Sequence, residues 1–230
     1  MKITLRPAMD RGFFDFGWLQ TYHSFSFGDY HDPQHMGFRR LRVMNQDTVQ
    51  PGHGFDTHPH RDMEIITYVL QGTVTHKDTM GNETIIHAGE IQCMSAGSGV
   101  QHSEYNRAAE ILKFLQIWIL PDKIGVTPSY QQKTYDPSCV GFQLLAAPEG
   151  GGGLVSIHQD VQLFRGRSDT AGTPLAYTVA ADRGVWVQLI SGEAAISGAL
   201  LKAGDGASML GPGKIEISPE SLIELLLFDT

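Results

Sequence analysis

Few stretches of the chain hold a helical period. Short runs of Val, Ile, Leu, Phe and Tyr are separated by Gly, Asp, Asn and Pro, the rhythm of strands joined by tight turns. Residues 64–70 (EIITYVL), 72–76 (GTVTH), 83–87 (ETIIH) and 111–120 (ILKFLQIWIL) are predicted strands. Met80-Gly81-Asn82 falls between two of them as a hairpin turn, with Gly81 or Asn82 able to take positive φ. Gly89, Gly97 and Gly99 punctuate the next connection, and 26 glycines along the chain suit many such turns. The predicted fold class is all-β, a sandwich or barrel.

The pattern breaks at residues 139–153, where AAPE and then GGGG (150–153) read as a flexible connection before strands resume at 154–157. This places a domain boundary near residue 140, dividing the chain into 1–139 and 140–230. The two parts resemble each other. YVLQGTVTH and HAGEIQCM in the first match VQLISGEAAI and KAGDGASML in the second, so that Gly72 corresponds to Gly192 and Ala88-Gly89-Glu90 to Ala203-Gly204-Asp205. Gly-acidic turns are common in β proteins, but two landmarks in step favour duplication of one unit.

Composition narrows the setting. The chain shows no apolar run long enough to cross a bilayer and no apolar stretch behind Lys2 and Arg6 that would make a secretory leader. Cytoplasmic location, with Cys93 and Cys139 reduced, is therefore expected. A net charge of −8 excludes a broad nucleic-acid footprint. Arg39, Arg40 and Arg42 form the one tight basic cluster and read as a solvated face.

The candidate chemistry is a metal site. In an extended strand, residues two apart point the same way, so the imidazoles of His58-Pro59-His60 can aim into one barrel interior, and His102-Ser103-Glu104 repeats the arrangement. Facing strands would bring together three nitrogens and a carboxylate, a set suited to a redox-active or Lewis-acidic divalent ion. Glu64 is a competing carboxylate. One His-x-His is weak evidence, but its frame is specific: Gly52, five residues, His58, one, His60, three, Glu64, seven, Gly72. This follows the first cupin motif with one extra residue before the last glycine. The second cupin motif is recognisable in Gly89, Ser95 (where proline is usual), Gly97, a longer gap, His102 and Asn106.

HSFSFGDYHDP (23–33), MGFRRLRVMNQD (36–47), GFDTHPHRDMEIITYVLQGTVTHKD (54–78) and SAGSGVQHSEYN (95–106) resemble the pirin family of bicupins, specifically over residues 17 to about 120 and more loosely to the end. The resemblance implies two antiparallel cupin barrels, with metal ligands at His58, His60, His102 and Glu104. Glu64 then becomes an outer hydrogen-bond acceptor or a strand-start residue. His23, His31 and His35 read as surface or hydrogen-bonding residues of a polar loop, and His76 and His87 as hairpin residues remote from the ligands. His53 is a candidate for the pocket mouth. Trp118, Phe114 and Gln116 share one strand face of undetermined direction.

Counting back 14 residues from Gly192, as His58 precedes Gly72, gives Thr178, with Ala180 at the place of His60, and the place of His102 falls on Ile217. His158 is the one imidazole beyond residue 102, so the second barrel is expected to hold no metal. Four protein ligands leave about two octahedral positions open, and the absence of cysteine speaks against a closed structural zinc site. Fe(II) is the first choice of ion, with Mn, Co, Ni, Cu or Zn compatible. The resemblance further implies a dioxygenase that opens flavonols such as quercetin with O₂ and releases carbon monoxide, with Glu104 taking the substrate hydroxyl proton. It implies as an alternative a non-catalytic metal- or redox-sensing module that docks onto a protein such as a transcription regulator.

Overall fold

The computed structural model describes residues 2–230, and these form strands throughout, with one short 3₁₀ turn at Ala8–Asp10. In chain order the strands are β1 Ile3–Arg6, β2 Gly12–Asp15, β3 Leu19–His23, β4 Leu41–Val49, β5 Gly54–His60, β6 Glu64–Gln71, β7 Thr73–Asp78, β8 Glu83–His87, β9 Glu90–Ser95, β10 Val100–Tyr105 and β11 Leu112–Ile119. They continue as β12 Ser129–Thr134, β13 Gly141–Ala147, β14 Val155–Ser156, β15 Gln162–Ser168, β16 Leu175–Val179, β17 Gly184–Ser191, β18 Glu193–Ile196, β19 Ala199–Lys202, β20 Gly206–Leu210, β21 Gly213–Pro219 and β22 Ile223–Asp229. The four predicted strands are present as β6, β7, β8 and β11. Gly81, at φ 97°, turns the β7–β8 hairpin. No described helix is long and apolar enough to cross a membrane. Cys93 and Cys139 are free thiols.

The chain divides into two compact units that interleave along the sequence. One takes Gly12–Asp136 and Ala147–Asp160; the other takes Pro137–Ala146 and Val161–Thr230 together with the N-terminal strand β1. The first unit packs a sheet of order β12-β9-β6-β11-β4-β3-β2 against one of order β5-β10-β7-β8. The second repeats the plan, with order β1-β20-β17-β22-β15-β13 and a sheet β16-β21-β18-β19. Each is an antiparallel cupin barrel.

The internal repeat extends to the register. Gly72 and Gly192 both have left-handed φ, 75° and 80°. Each backs onto the start of the strand that pairs next: a Cβ at Gly72 would meet the Ile111 carbonyl, and one at Gly192 the Leu222 carbonyl, so a side chain is excluded twice over. The bulge before them is also duplicated. β11 skips from Lys113↔Gln71 to Phe114↔Val69, and β22 skips from Glu224↔Ser191 to Leu225↔Leu189. A shared bulge at a shared offset is a designed feature of both barrels.

Their interiors differ. The second unit holds one continuous apolar cluster that includes Ile196, Ile215, Ile217, Val187, Ala207 and Leu227. In the first, two apolar clusters, one around Leu19, Val49, Leu112 and Phe114 and one around Ile65, Met94 and Ala96, flank a row of polar residues. That row runs across five strands as His23↔Asn45↔Gln116↔Thr67↔Gln92. Aligned through the two glycines, the same row in the second barrel reads Phe164↔Leu227↔Val187↔Ala207. Burying polar side chains costs stability unless they are paired, and the second barrel shows that this sheet closes without them.

Candidate metal centre

β5 and β10 are hydrogen-bonded neighbours, with His58 opposite His102 and His60 opposite Val100. The ligand-type pairs therefore converge from adjacent strands of one sheet, not from facing strands as the sequence alone had suggested. The register slips between His102 and Glu104, and such a bulge re-aims side chains. The ring centroids of His58, His60 and His102 lie 4.5–4.8 Å apart, and one nitrogen from each can lie within 4.8 Å of the others. His58 Nδ1 is 2.6 Å from the Asp56 carbonyl. A protonated Nδ1 donating there leaves Nε2 with its lone pair inward. His102 is 2% exposed, and neither of its ring nitrogens has a partner. A buried imidazole with two idle nitrogens is costly unless something else fills the coordination.

Glu104 is equally buried. Its Oε1 accepts from Thr67 Oγ1 at 3.1 Å and its Oε2 from Gln116 Nε2 at 3.3 Å, so the polar row on the opposite sheet grips the carboxylate. Glu104 groups with His102 and with a further imidazole, His76. His102 is thus common to two triplets, one with His58 and His60 and one with Glu104 and His76.

His76 corrects the expectation that it sits away from the ligands. It is fully buried opposite Glu104 in the β7–β10 register, and its ring lies 5.3 Å from that of His102. Its Nε2 is 3.0 Å from Asp78 Oδ2, and Nδ1 has no partner. The legible signal was position: four residues past Gly72, on the inward face of β7. The matching position past Gly192 is Ile196, and Ile217 stands opposite it where Glu104 stands opposite His76.

Glu64 belongs to a different cluster. It is buried at the start of β6, with Oε1 accepting from Ser95 Oγ at 2.6 Å and lying 3.3 Å from His158 Nδ1. The groups able to gather round an ion among the described residues do not include it. Asn106, the last residue of the second cupin motif, is a loop brace: its side chain bonds the backbone of Val49, Glu110 and Ala108.

A cavity of about 310 Å³ opens onto the histidines. His58 and His60 line it, with Phe14, Phe16, Leu19, Phe27, Phe55 and Trp118 as walls and Asn45, Asp47, Gln116 and His23 among them. Gln116 and Trp118 therefore take the inward face of β11, while Phe114 packs in the core. His23 is a second correction, since it lies buried on β3 against the pocket and not on a surface loop. His53 stacks on Trp18 and does not line the cavity. His35 pairs with Asp32 at 2.7 Å.

Burial, then the neighbouring His102 and His58, lower His60 to about 4. Burial, then His58 and His76, lower His102 to about 3. Both rings are neutral at pH 7, with lone pairs available to a metal. Burial pushes the Asp47 carboxyl up to about 7, aided by Glu104 and opposed by a hydrogen bond with Thr21. The linkage signs follow. Between about 6.5 and about 4, the unfolded chain takes up protons at the two histidines and the folded chain does not, so stability falls with falling pH. Asp47 contributes the opposite slope, because its folded form holds a proton that the unfolded form has released above about pH 4. Melting of the metal-free protein should therefore drop between pH 6.5 and 4.5, and more steeply in an Asp47→Asn variant. Parallel profiles for the two proteins in chelator-treated buffer would contradict these assignments.

A two-barrel cupin with an imidazole and carboxylate cluster inside one barrel is the class that fold and site define. Residues 5–119 match the pirin family model, and residues 144–230 match the quercetinase C-terminal cupin domain. The chain belongs to the pirin family. It is 45% identical over 228 residues to quercetin 2,3-dioxygenase of Escherichia coli K12, covering 99% of this chain and 98% of that one. It is 38% identical over 230 residues to a pirin-like protein of Caulobacter vibrioides, covering 99% of both. The crystal structure of the bacterial pirin YhhW from Escherichia coli in complex with nickel(II) superposes with a TM-score of 0.95 at 44% identity, covering 99% of this chain and 98% of that one.

Proposed function

We propose that this protein is a metal-dependent dioxygenase that opens the ring of flavonols such as quercetin with O₂, and that His58, His60, His102 and Glu104 hold its single divalent ion. The observation that carries the reading is the buried His102, its two nitrogens idle, set among His58 and His60 at the edge of an aromatic cavity. Three imidazoles with one carboxylate fit a divalent ion of borderline character. Fe(II) leads for its access to O₂, and the nickel(II) held by the Escherichia coli relative agrees with a site open to several divalent ions. When bound, such an ion supplies Lewis-acid acidification of a chelating oxygen and, if redox-active, a route to O₂. A cytoplasmic setting accords with two free thiols.

The chain's own residues do the rest. Phe14, Phe55 and Trp118 present flat apolar surface to a planar ring system and keep water from it. Glu104 is held by Thr67 and Gln116 in one orientation, and in this reading its carboxylate takes the proton of the flavonol 3-hydroxyl. The electron-rich flavonolate then combines with O₂. Both oxygen atoms enter the ring-opened ester, and the carbon that bore the 3-hydroxyl leaves as carbon monoxide. Metal-reconstituted protein should consume one O₂ per quercetin lost and stop under argon. Quercetin loss without O₂ uptake, or no loss with a full complement of metal, would overturn the reading.

A further inference from the structure

Ligand-type side chains form two groups in the first barrel. His58, His60 and His102 make the outer group, with His58 and His60 open to the cavity. His76, His102 and Glu104 make the inner group, buried to 0%, 2% and 2% exposure, and one donor atom from each lies within 4.8 Å of the others. Two donors bound to one ion at about 2.0–2.2 Å stand up to about 4 Å apart, so a small contraction closes the inner group on an ion. Each member keeps a lone pair for it. Asp78 accepts on Oδ1 from the Met80 and Asn82 amides and on Oδ2 from the Asn82 side chain, so His76 Nε2, at 3.0 Å, donates to it. Nδ1 of His76 then carries an unshared lone pair with no partner, the carboxylate-braced arrangement of metal-binding imidazoles. Both nitrogens of His102 are without a partner. Each Glu104 oxygen accepts one hydrogen bond and retains a second lone pair. The barrel does not need these groups to close, since the second barrel sets Ile196 opposite Ile217 at the places of His76 and Glu104.

We propose that His76, His102 and Glu104 form a second station for a divalent ion, braced by Asp78 and reached through the outer histidines. Two imidazoles with one carboxylate are a donor set for Fe(II) and other borderline ions. The cavity opens onto His58 and His60, and His102 belongs to both groups, which gives an ion its way in. The two stations share His102 and Glu104, so one ion occupies one or the other. Four donors outweigh three, and the ion of the unsubstituted protein rests with His58 and His60. The inner station keeps it in the barrel when those two let go. The inference rests on the four-residue reading for the shared residues.

The experiment is calorimetric titration with zinc of untagged protein in three forms: unsubstituted, His58→Ala with His60→Ala, and that pair joined by His76→Ile, the residue type of the second barrel at this place. The double variant should still bind one zinc per chain, weaker than the unsubstituted protein by about a hundredfold or more. Anomalous diffraction at the zinc edge should place that ion among His76, His102 and Glu104. The triple variant should bind at least about tenfold more weakly than the double. His76→Ile alone should keep its zinc, because His58 and His60 remain. If the alanine pair does not fold, leucine at both positions, which fills more of the same space, is read in its place; the zinc peak in the double variant decides without the triple. No zinc in the double variant, a peak elsewhere, a triple variant that binds as tightly as the double, or loss of zinc from His76→Ile alone would overturn the proposal. Failure of the four-residue reading shows separately, as unsubstituted protein that binds zinc no more tightly than the double variant.

Discussion

A His102→Ala variant should lose the metal, with affinity down by at least about a hundredfold, since even outer-sphere changes around a metal cost roughly ten- to a hundredfold. His102 is common to both triplets of ligand-type residues and is the most enclosed of the three clustered imidazoles, so its loss breaks both groupings at once. Stability of the metal-free form should change little by comparison, because the ring removed makes no hydrogen bond. What should vanish is the rise in melting temperature on adding metal, since that rise is binding to the folded state expressed as stability. Metal analysis after dialysis and paired melts with and without ion check both parts. A variant that keeps its ion would remove His102 from the site.

Glu104→Gln should lower turnover by about a hundred- to ten-thousandfold, the range for loss of a positioned general base. The substitution preserves volume and keeps an oxygen for the Thr67 hydroxyl, while the new amide N–H₂ set against the Gln116 amide loses that contact. Metal affinity should weaken, so turnover is compared per bound ion. Glu64→Gln is the matched control. Its carboxylate is engaged by Ser95 and His158, so metal content and turnover per ion should stay near those of the unsubstituted protein. Loss of the ion with Glu64→Gln alone would exchange the two roles. Normal turnover by metal-loaded Glu104→Gln would refute the base role.

The elements legible in the sequence were those whose signal is local. Alternation and bounding turns gave β6, β7, β8 and β11, and Gly72 and Gly192 marked the repeat because only glycine fits a left-handed turn against a neighbouring carbonyl. The clustering of His58, His60 and His102 was legible from spacing of two, whereas the choice of Glu104 over Glu64 came with the pirin resemblance. What was hidden depends on pairing. The β7–β10 register alone brings His76 opposite Glu104, and the β3–β4–β11–β6–β9 register alone turns five scattered polar residues into one row. His23 was misplaced because its polar surroundings in sequence are not its surroundings in the barrel. In the second barrel, counting gave Thr178 and Ala180, whereas the register sets Tyr177 opposite Ile215 and Val179 opposite Gly213, where His58 and His60 stand in the first. The count was one residue off there and two off for His102, whose place is Ile215 and not Ile217, and the positions carry no metal-binding imidazole in either alignment.

The central claim is one divalent ion held by His58, His60, His102 and Glu104. Anomalous diffraction at the metal absorption edge, on crystals of metal-reconstituted protein, tests it most directly. The account predicts a single peak within bonding distance of those four side chains, and none in the second barrel. A peak coordinated by His76 without His58 and His60, or by Glu64, would contradict it.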